Sequence, residues 1–440
     1  MMHRLELLGS TLRASFWFVP YLIVCAFIAL ALFLTRPGAM LADEWLSGFS
    51  ALFSVSAAGA REMLSFIAAS MISVVGLVFS MTLVALALAS TQYSSRVLRT
   101  FMRSRLTQVS IGVFAGLYTY CLMVLRAVKG QGDDLLLPVT AVSLALLFAI
   151  GAVALLIFFI HHIALSIQAS TILASVARET IATIEETFPA GLSATGPAQP
   201  ERSGEMPVKW GPVVLASESG YLQSVDEAAL IQFASKHDTV IRMERGVGQF
   251  VVQGTGLMTL AHGNEEYAKE LRELVKISVY RTIEQDPAFG IRQIVDVALK
   301  ALSPAINDTT TAVMCIDYLG TVLAVVAPKT FPPLGLWQDD RLRVLTIRPD
   351  FAALVREAFD QIRRGAGGNL AIIDSMSTTI GVVGNLTTEP ERMRALTGQL
   401  DLLDELSEQT VPSPSERVTV RGRIAAIRSA LVRSSPSATG

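Results

Sequence analysis

From Met63 to Ser95 the chain runs for thirty-three residues without one charged side chain. About 20 apolar residues are enough for an α-helix to cross the hydrocarbon core of a bilayer. This run exceeds that length, so the helix it predicts tilts or projects past the lipid on one side. Small or weakly polar residues recur along it at helical spacing: Ser65, Ala69, Ser73, Gly76, Ser80 and Ala87. Phe66, Ile67, Met71, Ile72, Leu77, Phe79 and Leu83 occupy the rest of its surface. In lipid, helices associate by close backbone approach, which small residues permit. The stripe therefore reads either as a packing seam or as the hydroxyl-lined face of a hydrated pathway. The second reading includes the polar exit from Ser90 through Gln92 to Ser95.

The rest of the chain fits a membrane setting. Half of its 440 residues are apolar and 17% are charged, and the mean hydropathy is positive. The apolar residues cluster, as they do in chains with membrane spans. Four spans are expected, at about 16–34, 63–90, 106–126 and 135–160, inside a transmembrane domain of 1–165. Trp45, between the first two spans, suits an interfacial anchor. Arg96, Arg99, Arg103 and Arg105 follow the second span. Cations in short loops mark the cytoplasmic side, and the basic start of the chain agrees with an even number of spans. Both termini are then expected in the cytoplasm of a bacterial cell, and the protein in its inner membrane. The arginines also suit contact with anionic lipid headgroups, or a ring that concentrates anions at a pore mouth.

Net charge is −2, so nothing in the balance points to nucleic acid. Cys25, Cys121 and Cys315 lie far apart and show no disulfide or metal spacing. His161 and His162 are adjacent, so on a helix they point about 100° apart, poorly placed to chelate one ion. No metal and no cofactor are expected, no catalytic set of side chains stands out, and the chain is not read as an enzyme.

Beyond the spans an α+β region is expected. A helical stalk and a Gly/Ser/Pro-rich linker take up 166–207, a small β-rich module 208–260, a helical α+β domain 261–433 and a tail 434–440. The strands around Gly220, Gly248 and Gly254 resemble the barrel-sandwich hybrid of lipoyl and biotinyl domains, without the carrier lysine of those domains. A helix is expected over 265–283, and Asp286-Pro287 predicts a capped helix start. Ser303-Pro304-Ala305-Ile306-Asn307-Asp308 then breaks that helix, and Asp308 or Thr309 caps the next. Asp296, four residues from Arg292 and from Lys300, suits local ion pairing. The oxygens of Asp286, Asp296, Ser303, Asn307 and Asp308 read as caps and turns, or as ligands that gather a divalent cation.

The segment Glu284-Gln285-Asp286-Pro287-Ala288-Phe289-Gly290 and the run from Ala301 to Ala312 resemble the signature of the domain of unknown function 2254 family. Ile67 to Ile72, Phe79 to Val84 and Ala89 to Leu98 match it in the membrane half. The resemblance implies a bacterial membrane location and a shared architecture, and brings no catalytic residue with it. Two functions follow as expectations. One is a homo-oligomeric channel or transport protein for small ions, embedded in membrane lipid, with a cytoplasmic vestibule or gate. The other is a membrane-anchored ligand sensor or scaffold.

Overall fold

The computed structural model describes residues 17–36, 56–92, 105–128, 139–188, 209–264 and 266–434. They fall into two compact units, Met1–Thr171 and Ile172–Gly440.

Four helices build the first unit: α1 (Phe18–Leu34), α2 (Ala57–Gln92), α3 (Arg105–Ala127) and α4 (Val139–Ser166). All four expected spans are present as helices. α2 starts before Met63, taking in Arg61 and Glu62, and at 36 residues and 1.5 Å per residue it is about 54 Å long. That is well over the roughly 30 Å of a hydrocarbon core. α3 is the most enclosed and packs against the other three. Two glycines one turn apart on α3, Gly112 and Gly116, let α1 lie close: an added Cβ would sit 3.0 Å from the Pro20 Cα and 2.5 Å from the Phe27 ring, respectively. Phe27, Tyr120 and Phe148 meet edge to face at centroid separations of 5.2–6.2 Å. The Tyr120 hydroxyl donates to the Ala141 carbonyl at 2.9 Å, so the buried phenol is satisfied. Leu22, Phe33, Phe66, Phe79, Leu147, Ile150 and Ile157 point outward and are exposed. In water such a surface would aggregate, whereas in lipid it matches its solvent.

α5 (Ala169–Thr187) follows a break at Ile167-Gln168. The expected continuous stalk is thus interrupted immediately after α4. From Ile172 onward α5 packs within the second unit, burying Leu173, Val176, Thr180 and Ile184.

The strands of the second unit are β1 (Val213–Leu215), β2 (Gly220–Val225), β3 (Ile241–Met243), β4 (Phe250–Val251), β5 (Gly256–Leu260), β6 (Val275–Ser278), β7 (Gly335–Gln338) and β8 (Arg341–Leu345). α6 (Glu227–Lys236) and α7 (Tyr267–Glu273) lie among them. One sheet has the order β1-β5-β3-β8-β7 and the other β4-β2-β6. β3 and β8 are parallel, with Ile241 opposite Val344. This parallel pair, and the division into five and three strands, differ from the antiparallel barrel-sandwich hybrid that the glycine pattern suggests. The sheets also draw on the chain up to Leu345, well beyond residue 260. The expected helix over 265–283 ends at Glu273 and gives way to β6, because Val275 and Ile277 pair against Val225 and Leu222 of β2. Asp339 and Asp340 both have positive φ, the backbone that a two-residue hairpin turn between β7 and β8 requires.

The helical part comprises α8 (Pro287–Ala301), α9 (Thr309–Val326), α10 (Phe351–Gly365), α11 (Leu370–Gly384), α12 (Pro390–Thr410) and α13 (Pro414–Ser434). α9 is long and apolar enough to cross a membrane by length and composition. Instead Ile316, Leu319, Leu323 and Val326 are fully buried, and α9 packs on α8 and α11 in the core of this unit.

Candidate functional site

Helix α2 carries two opposed faces. Ala60, Leu64, Ile67, Ala68, Met71, Val78 and Ala85 are buried against the other helices. Ser65, Ala69, Ser73, Gly76, Ser80 and Ala87 are all exposed. At about 100° per residue the two sets lie roughly half a turn apart. The small-residue stripe is therefore not the seam that holds this chain's own bundle together; the buried face is. Nothing lies within 4 Å of a Cβ built on Gly76. Exposed Phe66, Leu77 and Val84 flank the stripe on one side, and Ile72 and Phe79 on the other. The stripe is thus bordered by apolar side chains, and exposed Leu83 stands in line with it between Ser80 and Ala87. The Ser73 hydroxyl donates to the Ala69 carbonyl at 3.0 Å, so it needs no outside partner to sit at an apolar surface. Nothing is described of the side chains of Ser90 and Gln92, and Arg96, Arg99 and Arg103 lie outside the described residues. Arg105 opens α3 and is exposed.

The buried polar groups of the first unit come from α3. Thr107, Gln108 and Ser110 are each at most 4% exposed, and the Ser110 hydroxyl has no hydrogen-bond partner among the described residues. Sequence reasoning did not single them out, although polar residues at the head of an apolar span are a readable signal.

The polar residues of the soluble motif do not converge. Asp286 stands at the N-terminus of α8 and Asp308 follows its C-terminus. Fifteen residues of helix separate them, about 22 Å at 1.5 Å per residue. Asp286 is 4% exposed. Its Oδ1 accepts the Phe289 amide at 3.2 Å, and its Oδ2 accepts both Nε and Nη2 of Arg281 at 3.0 and 2.7 Å. Burial pushes this carboxyl above the usual carboxylate range, while the Arg281 guanidinium pulls the other way. Gly248, with φ +85°, lies directly against it. Asp296 accepts Arg292 Nε at 2.8 Å on the same helix face, and Arg292 also reaches Glu357 at 3.5 Å. Ser303 donates to the Lys300 carbonyl at 2.7 Å. Asn307 holds φ +48° in the turn. Asp308 caps α9 through the amide and hydroxyl of Thr311, and the hydroxyl bond is the largest cause of its lowered pKa. The side chains of Asp286, Asp296, Ser303 and Asp308 each have a partner close by in sequence, and Asn307 serves the turn through its backbone. Among the described residues no group of three or more His, Cys, Asp or Glu is placed to hold a metal ion.

A family model described as "Predicted membrane protein (DUF2254)" matches residues 13–381. An uncharacterized protein of Mycobacterium tuberculosis is 32% identical over 386 residues, which cover 85% of this chain and 73% of the relative. An uncharacterized protein of Mycobacterium bovis matches to the same extent. No solved structure matches.

Proposed function

Because this chain belongs to the DUF2254 family of predicted membrane proteins, we propose that it acts in the bacterial inner membrane as a homo-oligomer offering a pathway for small ions. In this reading both termini and the C-terminal unit are cytoplasmic, and that unit serves as vestibule or gate. It is not an enzyme. One observation carries the proposal: the stripe Ser65, Ser73, Gly76 and Ser80 turns away from the chain's own bundle. Lipid gains nothing from a stripe of small residues, whereas a second helix gains close backbone contact and dispersion along its length. Several copies arranged with these faces toward a common axis would present hydroxyls to whatever passes.

Flux through liposomes tests this directly. Purified oligomer is expected to pass small ions, and Ser73→Leu or Ser80→Leu is expected to change the flux severalfold while leaving the fold intact, because both positions are exposed. Silent bilayers from a well-folded oligomer would remove the transport reading. A second reading, a membrane-anchored sensor, draws support from a cavity of about 540 Å³ in the C-terminal unit.

A further inference from the structure

The opening turns of α3 gather polar groups that the rest of the bundle leaves unpaired. Thr107, Gln108 and Ser110 stand close to the start of this helix at 3%, 4% and 0% exposure. Among the described residues none of the three side chains has a hydrogen-bond partner. Buried hydroxyls and amides without partners are costly, above all where the surroundings are lipid. At about 100° per residue the three occupy an arc of about 160° on the buried side of the helix. Side chains on a helix lean toward its N-terminus, so all three reach toward the start of α3.

That start is electropositive for three reasons. The first N–H groups of a helix have no partner within it, and the aligned peptide dipoles place about half a positive charge there. No acidic side chain stands in the first turn of α3 to offset it. Next, α1 runs parallel to α3, since Pro20 and Ile23 lie against Gly112 and Phe27 lies against Gly116. The N-terminus of α1, which has no acidic residue and no side-chain cap, therefore opens at the same end of the bundle. Finally, Arg105 is exposed there, and from Met63 to Gly132 the sequence contains no Asp or Glu. Glu62 is the one acidic residue among the described part of this unit. It lies at the far end of α3, next to Arg61, which donates to the Val128 carbonyl at 3.1 Å.

We infer that the N-terminal end of α3 binds one phosphate group, carried by a lipid headgroup or by a free phosphate ester. The first-turn N–H groups, the Gln108 amide and the Thr107 and Ser110 hydroxyls donate to its oxygens, with Arg105 at the rim. An anion with several oxygens uses donors in this number, and a cation finds no carboxylate. The inference stands in either orientation of the spans and whether or not they conduct.

Calorimetric titration of the full chain in dodecylmaltoside micelles tests it with dioleoyl phosphatidic acid, glycerol 3-phosphate and dioleoylglycerol. At least one of the two phosphates should saturate at one per chain. Saturation by phosphatidic acid alone assigns the site to a lipid headgroup, and saturation by glycerol 3-phosphate assigns it to a free ester. Dioleoylglycerol, which lacks the phosphate, should bind at least about tenfold more weakly than phosphatidic acid. Ser110→Ala and Gln108→Leu each remove a buried polar group with no described partner, so without ligand both should unfold at or above the parental temperature. Each should nevertheless weaken phosphate binding about tenfold, the loss of one hydrogen bond to a charged group. Arg105→Gln alters an exposed side chain, so it should fold as the parent and also bind more weakly. No saturation by either phosphate, dioleoylglycerol matching phosphatidic acid, or parental affinity in all three variants would overturn the inference.

Discussion

Replacing Gly248 by alanine is expected to destabilise the C-terminal unit by about 4 kcal/mol, a large part of the 5–15 kcal/mol that holds a typical domain together. The added Cβ would sit 2.0 Å from the Asp286 carboxylate and 2.8 Å from Arg281 Nη2. One of these groups must move, and neither has a free direction. Asp286 is pinned by Phe289 N on one oxygen and by Arg281 on the other, and Arg281 also lies over the Phe289 ring at 4.9 Å. Breaking a buried ion pair costs about 3–5 kcal/mol. Arg281 is one-quarter exposed, which argues for the lower end of that range. The left-handed backbone at Gly248 adds about 1–2 kcal/mol for a residue with a Cβ. Hydrogen exchange of the full-length protein should show protection lost first in β2, β4 and the opening turn of α8. Asp286→Asn keeps an oxygen for the cap but gives up the charge pair, so it should cost less. A Gly248→Ala variant within about 1 kcal/mol of the parent would contradict this picture.

Gly116→Leu is expected to separate α1 from α3 and to lower the stability of the membrane unit by about 3 kcal/mol, the upper range for overpacking. The new side chain would enter the space of the Phe27 ring, whose carbons come to 2.5 Å from the first added atom. Phe27 cannot swing aside without disturbing Phe148 and Tyr120, and Tyr120 is anchored to Ala141. Gly151→Leu is the matched control, because nothing lies within 4 Å of its added Cβ and the position is exposed on α4. Thermal unfolding in detergent should place the Gly116 variant well below the parent and the Gly151 variant beside it.

What could be read in the sequence follows from how local each signal is. The α8 start, the break at Ser303-Pro304 and the α9 cap are legible because Asp286, Pro287 and Asp308 act on backbone within three residues of themselves. The four spans are legible because length and apolarity alone define them. The direction of the α2 stripe is not, since both the packed face and the lipid face are apolar and only the neighbours distinguish them. Gly112 and Gly116 are the counterexample: their spacing is visible and marks the seam with α1, yet a survey of spans by length alone passes over it. β6 is ambiguous in isolation, because Val275-Lys276-Ile277-Ser278 becomes a strand only beside β2. The β3–β8 pair joins residues about a hundred positions apart, and no local pattern announces it. The cavity is hidden for the same reason, being assembled from Phe188, Phe331, Arg348, Phe351 and Arg392.

The proposal for the spans rests on the outward stripe of α2 facing the same stripe of neighbouring copies around a common axis. Disulfide crosslinking in native membranes tests this most directly, using a Ser73→Cys variant in which Cys25, Cys121 and Cys315 are replaced by alanine. Covalent dimers are expected from Ser73→Cys but not from an Ile150→Cys variant on the outer face of α4, and adding Gly76→Leu should abolish them without disturbing the fold. A Ser73→Cys protein that remains monomeric, or dimers that persist with Gly76→Leu, would contradict it.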